Sequence, residues 1–248
     1  MNFLSLQMQQ RKAKDIYSSE FVEDLFDRMS DSYERVNYIT SFGFSELWRR
    51  QCVKELDLKS GSVVVDLMIG MGECWQPILK KANKNSKLIG LDFSTQMINF
   101  AKKRKQKYPH ANIELLKENV FDNSISSESV DYIISGFGMK TFNEQQLHLL
   151  AREIFRILKP EGRFSLIDVS VPKNKVLQSL YMFYLKNVIP MLGKLFLGDP
   201  ETYKMLGIYT EAFGNAKQVE QIFGQYDFQV EYMEYFFGCA SGVKGIKN

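Results

Sequence analysis

The chain has 248 residues, 45% of them hydrophobic and 25% charged, with a net charge of +3. That length and balance suit one sizeable α/β domain with additions, and so small a charge, spread among acids, argues against nucleic acid as a partner. The three cysteines, Cys52, Cys74 and Cys239, show no metal-ligand spacing and are odd in number, which fits reduced thiols better than a disulfide framework.

Residues 1–20 read as an N-terminal extension, with Arg11, Lys12 and Lys14 but no apolar core and cleavage site of a secretory signal; an organelle presequence stays open. No apolar run reaches the roughly 18 residues of a spanning helix. Residues 21–248 read as a single domain. Between Ser19 and Gln51, Phe21, Leu25, Met29, Tyr33 and Val36 recur at spacings of three and four, which predicts amphipathic lid helices over residues 21–60. On periodicity alone Tyr33 packs into the core; Asn37, Trp48 and Arg49 read as helix-face residues.

The run Val63–Leu67 is a strand buried on both faces, and Gly70 and Gly72 after it allow a tight turn and close approach of a ligand to the backbone. About twenty residues on, Lys87–Asp92 is a second strand ending in an acid, where doubly wound folds hold a ribose. The turn lacks the third glycine of a dinucleotide fingerprint and the Gly-Lys-Ser/Thr of a P-loop, so a nucleoside without a pyrophosphate fits it better. S-adenosylmethionine is the common one.

Ser94 should cap a helix running to Lys107, with Met97, Ile98 and Ala101 inward. A third strand covers Ile113 to Leu116. Asn119 and Val120 then offer a side-chain carbonyl and an apolar face; a turn asparagine explains Asn119 equally well. The fourth strand, Val130 to Gly136, should lie beside the first, so that Ser135 to Thr141 border the site. A helix from Asn143 to Leu158 stops at Lys159-Pro160-Glu161-Gly162, and Arg163 to Val169 forms strand five. The apolar stretch Val176 to Leu197, broken by Pro190, is either a buried helix or one lying at a membrane interface, with Lys186 and Lys194 between its aromatics. After a turn at Gly198-Asp199, a helix follows, then another from Asn215 to Tyr226 and a terminal hairpin from Phe228 to Val243.

Asp66-x-x-x-Gly70-x-Gly72 followed by Gly90-Leu91-Asp92 resembles the cofactor motifs of class I S-adenosylmethionine-dependent methyltransferases. Ser32-Tyr33-Glu34-Arg35-Val36-Asn37, Leu47-Trp48-Arg49-Arg50, Gly136-Phe137-Gly138, Leu158 to Arg163 and Pro190-Met191-Leu192-Gly193 resemble the ubiquinone/menaquinone C-methyltransferase (UbiE) family over nearly all of the chain after about residue 20. The glycine turn departs from that family's Asp-x-x-Gly-Gly-Thr-Gly-Asp: Met68, Met71, Glu73 and Trp75 make it similar to the rhodoquinone biosynthesis (RquA-type) proteins, a divergent branch. Lys140 and Thr141 stand where the methyltransferases tend to carry Arg-Asn.

The resemblance implies a Rossmann-like class I methyltransferase fold, α/β, with a mostly parallel seven-stranded sheet, helices on both faces, a C-terminal antiparallel hairpin and a substrate-side helical insertion at residues 171–215. It implies a transferase that replaces a ring methoxy group of ubiquinone by the amino group of S-adenosylmethionine; the alternative is C-methylation in ubiquinone or menaquinone synthesis. A non-catalytic cofactor-binding protein is a third reading, disfavoured by the intact Gly70, Gly72 and Asp92. Catalytic roles are expected for Glu73, Tyr33, Lys140 and Thr141, and cofactor contacts for Tyr33, Asp66, Met68, Gly70, Met71, Gly72, Asp92, Phe93, Met97, Asn119, Val120 and Ser135. The resemblance also implies manganese(II), a hard ion; with only His110 and His148 in the chain, Glu73 is the expected ligand, unless it is simply an acid favoured at a helix start. The substrate is a lipid-tailed quinone, the setting a membrane surface, and the location the cytoplasm or mitochondrial matrix, peripheral to the inner membrane. A homo-oligomer stays open.

Overall fold

The computed structural model describes residues 15–82, 85–195 and 200–248. The basic cluster Arg11–Lys14 and the turn at Gly198-Asp199 lie outside the described residues, as do Phe196 and Leu197 at the end of the apolar stretch.

Seven strands form one sheet in the order β3-β2-β1-β4-β5-β7-β6. The first four are β1 (Val63–Leu67), β2 (Lys87–Asp92), β3 (Asn112–Lys117) and β4 (Val130–Gly136), and the last three are β5 (Leu158–Val169), β6 (Phe228–Tyr235) and β7 (Ala240–Lys247). Strands β1 to β5 run parallel, while β7 lies antiparallel to both β5 and β6. This is the expected class I methyltransferase fold, with β4 beside β1 and the strand order reversing there. The hairpin extends to Lys247 rather than ending at Val243.

Helices cover both faces. On one, α2 (Phe44–Lys54), α3 (Trp75–Ala82) and α4 (Thr95–Lys105) pack against Val64, Leu88 and Ile134. On the other, α5 (Glu144–Ile157) and α9 (Lys217–Phe223) cover Val65, Ile133 and Phe164. Side chains such as Ile154 and Phe223 are fully buried there, each worth about 1.5–3 kcal/mol on transfer from water. Caps set the helix starts: Ser94 accepts from the Met97 N–H, and Asn143 and Gln146 make a reciprocal capping box.

The remaining helices roof the strand ends. The lid helices expected over residues 21–60 are α1 (Ser19–Thr40) and α2, parted by a turn in which Phe42 has φ 51 and Gly43 φ 79. Helices α6 (Lys175–Phe183), α7 (Ile189–Leu195) and α8 (Pro200–Phe213) complete the roof. Met29 and Val36 of α1 pack there against Leu185, Ile189 and Tyr203. Pro190 does not break its helix. The π-helical turn Tyr184–Val188 hands over directly to α7, with the Ile189 N–H donating to the Tyr184 carbonyl five residues back, so the helix is locally widened just before Pro190. Residues 159–162, expected as a turn before strand five, form a bulge inside β5: Val130 pairs with Leu158 and Tyr132 with Arg163, while Glu161 takes φ 62. No helix among the described residues is long and apolar enough to cross a membrane.

Candidate functional site

At the carboxyl ends of β1, β2 and β4 the backbone turns sharply. Met68, Gly70, Gly72 and Phe137 all have positive φ, of 54, 55, 82 and 72. The turn after β1 is held from within: the Gly70 N–H donates to Asp92 Oδ2 at 2.8 Å, and the Met71 N–H to Glu73 Oε2 at 2.9 Å. Gly72 has no room for a side chain, because a Cβ there would lie 2.6 Å from the Trp75 ring. Gly72→Ala therefore combines a clash with left-handed strain of about 1–2 kcal/mol, which must displace the turn. Calorimetric titration with S-adenosylmethionine should show affinity reduced at least about tenfold in this variant, with the circular-dichroism spectrum retained.

A cleft of about 60 Å³ lies beside this turn and gathers Tyr33, Met68, Gly70, Asp92, Phe93, Met97, Asn119, Val120 and Thr141, all expected at the site. Asn119 makes the turn contact, its Oδ1 accepting from the Phe121 N–H at 3.0 Å, while its amide reaches Ser19 Oγ at 3.5 Å. Burial pushes the Asp92 carboxyl up to about 7, against the pull of N–H groups of Ser94 and Gly70, with Glu73 and Asp27 adding to the rise.

Other expected site residues are placed differently. Ser135 donates to the Leu67 carbonyl at 2.9 Å and is spent on joining β4 to β1. Met71 is buried, and neither it nor Gly72 is among the described residues lining this cleft. Asp66 lies beneath the turn, 1% exposed. Among the described residues neither its Oδ2 nor the Trp75 Nε1 makes a hydrogen bond of ordinary geometry, although the Trp75 side chain lies close enough to pull the Asp66 pKa down. Burial first, then Glu73, raises its pKa well above the usual carboxylate range, while Arg49 opposes the rise.

Glu73, the expected metal ligand, is engaged within the protein in this geometry. Its carboxylate folds back over the glycine turn and pairs with Arg49 Nη2 at 3.4 Å. No group of three or more His, Cys, Asp or Glu side chains among the described residues could hold a metal ion. In this geometry the described residues around Glu73 do not gather into such a group.

Across Phe26, Tyr33, Phe137 and Thr141 the cleft opens into an apolar cavity of about 370 Å³ under the helical roof. Trp48, Leu177, Tyr181 and Leu185 are among its walls, and its polar groups include Arg49, Lys140 and Tyr33. Lys140 Nζ donates to the Phe137 carbonyl at 2.7 Å and to Asp168 Oδ1 at 3.0 Å, a buried ion pair. The Thr141 hydroxyl is engaged by the Gly138 carbonyl at 2.7 Å. Burial, and Glu73 after it, raises the Tyr33 phenol above its ordinary range, so it stays a neutral donor.

The comparisons decide the family, because the ubiE/COQ5 methyltransferase pattern matches residues 10–247. The chain belongs to the ubiE/COQ5 methyltransferase family. It is 32% identical over 223 residues to the demethylmenaquinone methyltransferase of Lactococcus lactis, covering 90% of this chain and 88% of that one. With the Staphylococcus saprophyticus demethylmenaquinone methyltransferase it shares 31% over 236 residues, 95% of this chain and 98% of the other. The fold is similar to that of a SAM-dependent methyltransferase from Aquifex aeolicus, with a TM-score of 0.57 and 21% identity, over 81% of this chain and 89% of that one.

For a ubiE/COQ5 protein the site fits S-adenosylmethionine. Asp92, Asn119 and Val120 line one cleft beside the glycine turn and give it a carboxylate, an amide and an apolar face suited to a nucleoside. Sequence reasoning missed two residues here. Asp168 reads as one more strand residue, and Arg49 reads as a helix-face residue although it shares the inward stripe of α2 with Cys52 and Val53.

Proposed function

We propose that this chain is an S-adenosylmethionine-dependent transferase acting on the ring of a lipid-tailed quinone, and that it exchanges a ring methoxy group of ubiquinone for an amino group, giving rhodoquinone. When bound, S-adenosylmethionine offers either an electrophilic methyl or a nucleophilic α-amino group. The observation that carries the choice is the lining of the acceptor cavity. It presents two cationic side chains, Arg49 and Lys140, and the neutral phenol of Tyr33, with no Asp, Glu or His among its described lining residues. C-methylation of a quinol calls for a base to take a proton. Addition of nitrogen to the methoxy-bearing carbon of an oxidised quinone, which expels methanol before the bond from that nitrogen to the cofactor's α-carbon is broken, calls instead for donors that take up negative charge on the ring oxygen. Arg49 and Lys140 supply that polarisation, and manganese(II), where bound, would add a Lewis acid to it. The variant turn with Met68, Met71, Glu73 and Trp75, and Lys140-Thr141 in place of Arg-Asn, support the same reading.

Methyl transfer is the second reading, favoured by the demethylmenaquinone methyltransferases among the relatives. Incubation with S-adenosylmethionine labelled with nitrogen-15 in the amino group and carbon-13 in the methyl separates the two. Mass spectrometry should find nitrogen-15 in a quinone that has lost a methoxy group. Carbon-13 gained by a demethylated quinone, with ubiquinone inert, would overturn amino transfer.

The protein is placed in this reading at a membrane surface, in the cytoplasm or mitochondrial matrix, and the cavity mouth supports the membrane contact. Phe42, Leu180 and Phe236 border it and are 80%, 64% and 49% exposed, and Phe237 beside them is 77% exposed. An isoprenoid tail leaving the cavity would pass between these side chains into lipid.

A further inference from the structure

Arg49 is 8% exposed and borders the acceptor cavity from α2. Among the described residues its hydrogen-bond partner is Glu73, at 3.4 Å, the long limit of such a bond. Its guanidinium carbon lies 4.7 Å from the centre of the Phe137 ring. A guanidinium carries five N–H donors, and burying one beside a single long contact is costly unless other acceptors reach it. Lys140 differs: it already has the Phe137 carbonyl and the fully buried Asp168 carboxylate as close partners. Arg49 therefore has donors to spare on the side that faces the cavity.

We propose that Arg49 is a catalytic residue of the acceptor side, donating to the ring oxygen on which negative charge develops. The inference rests on the quinone reading above and deepens it. Glu73 supplies the counter-charge and, through the Met71 N–H, ties the guanidinium to the glycine turn. The position of the acceptor's oxygen is thereby fixed relative to the cofactor turn, which is what in-line or near-attack geometry requires. Arg49 and Lys140 both approach the Phe137 ring, Lys140 Nζ at 6.0 Å from its centre, so Phe137 spaces the two cations along the cavity wall.

The test compares wild type, Arg49→Lys and Arg49→Met, titrated separately with a short-tailed ubiquinone analogue and with S-adenosylmethionine. Infrared difference spectra of the bound analogue, carbon-13 labelled at one carbonyl, report the hydrogen bond directly. Arg49→Met should weaken analogue binding by about 10–100-fold, the range of a hydrogen bond to a charged group, and leave the S-adenosylmethionine affinity within about threefold. The labelled carbonyl stretch should move toward its value in free solution, and Arg49→Lys, which keeps the charge, should lie between. Analogue binding within about twofold of wild type and an unshifted carbonyl would overturn the role of Arg49. So would equal losses for both ligands with an unshifted carbonyl, since that is what a purely structural arginine gives. A wild-type protein that does not bind the analogue would instead overturn the quinone reading itself.

Discussion

Lys140→Met is expected to destabilise the protein by about 3–5 kcal/mol, a large share of the stability of an ordinary domain. The cost arises less from the lost attraction than from what stays behind. Asp168 is 0% exposed, and its remaining partners are the backbone N–H groups of Lys140, at 2.9 Å, and Val169, at 2.8 Å. Those two bonds cannot balance a buried charge in a medium of low dielectric constant. Urea titration of four proteins checks this: wild type, Lys140→Met, Asp168→Asn and the double variant. The double variant should be more stable than Lys140→Met alone, because no unpaired charge is left in it. If the effects of the two substitutions simply add, the buried pair is not coupled and the cost has another origin. The double variant should still lose about 100-fold in kcat, since the cavity has lost a cation that faces the substrate.

What the sequence made legible was local. Val63–Leu67, the glycines after it and Asp92 announce a strand, a turn and an acid within a short span, and the seven-stranded order follows from the rules of doubly wound sheets. Side-chain direction and long-range pairing were not legible. Ser135 sits at the expected strand end, yet its hydroxyl turns to the neighbouring strand's carbonyl. Glu73 and Arg49 are 24 positions apart, and Lys140 and Asp168 are 28 apart. An acid after a glycine turn reads alike whether it meets a metal, a helix dipole or an arginine from a distant helix. Only the spacing of Arg49 from Cys52 and Val53, inward residues one turn on, carried a signal that the arginine faces the core.

The same turn makes the stability of the cofactor-free protein fall as pH rises. Asp92 is pushed up to about 7 by burial, opposed by the N–H groups of Ser94 and Gly70 and reinforced by Glu73 and Asp27. In the unfolded chain an aspartate titrates near 3.9, so between about pH 4 and pH 7 the folded protein binds more protons at this site than the unfolded one. Protonation therefore favours folding in that window. The contribution is fully present below about pH 4 and is lost progressively as pH climbs through 7, for a total of about 4 kcal/mol from this group. Urea midpoints measured every half unit from pH 5 to pH 8 should decline toward the alkaline side in wild type, and Asp92→Asn should flatten that slope whatever its own offset. Asp66, raised in the same direction by its burial, adds a residual slope in the Asn variant. Saturating S-adenosylmethionine should flatten the wild-type slope too, because ribose hydroxyls donating to Asp92 favour its carboxylate form and draw its pKa back down. A slope indifferent to both the substitution and the cofactor would remove Asp92 from the ribose position.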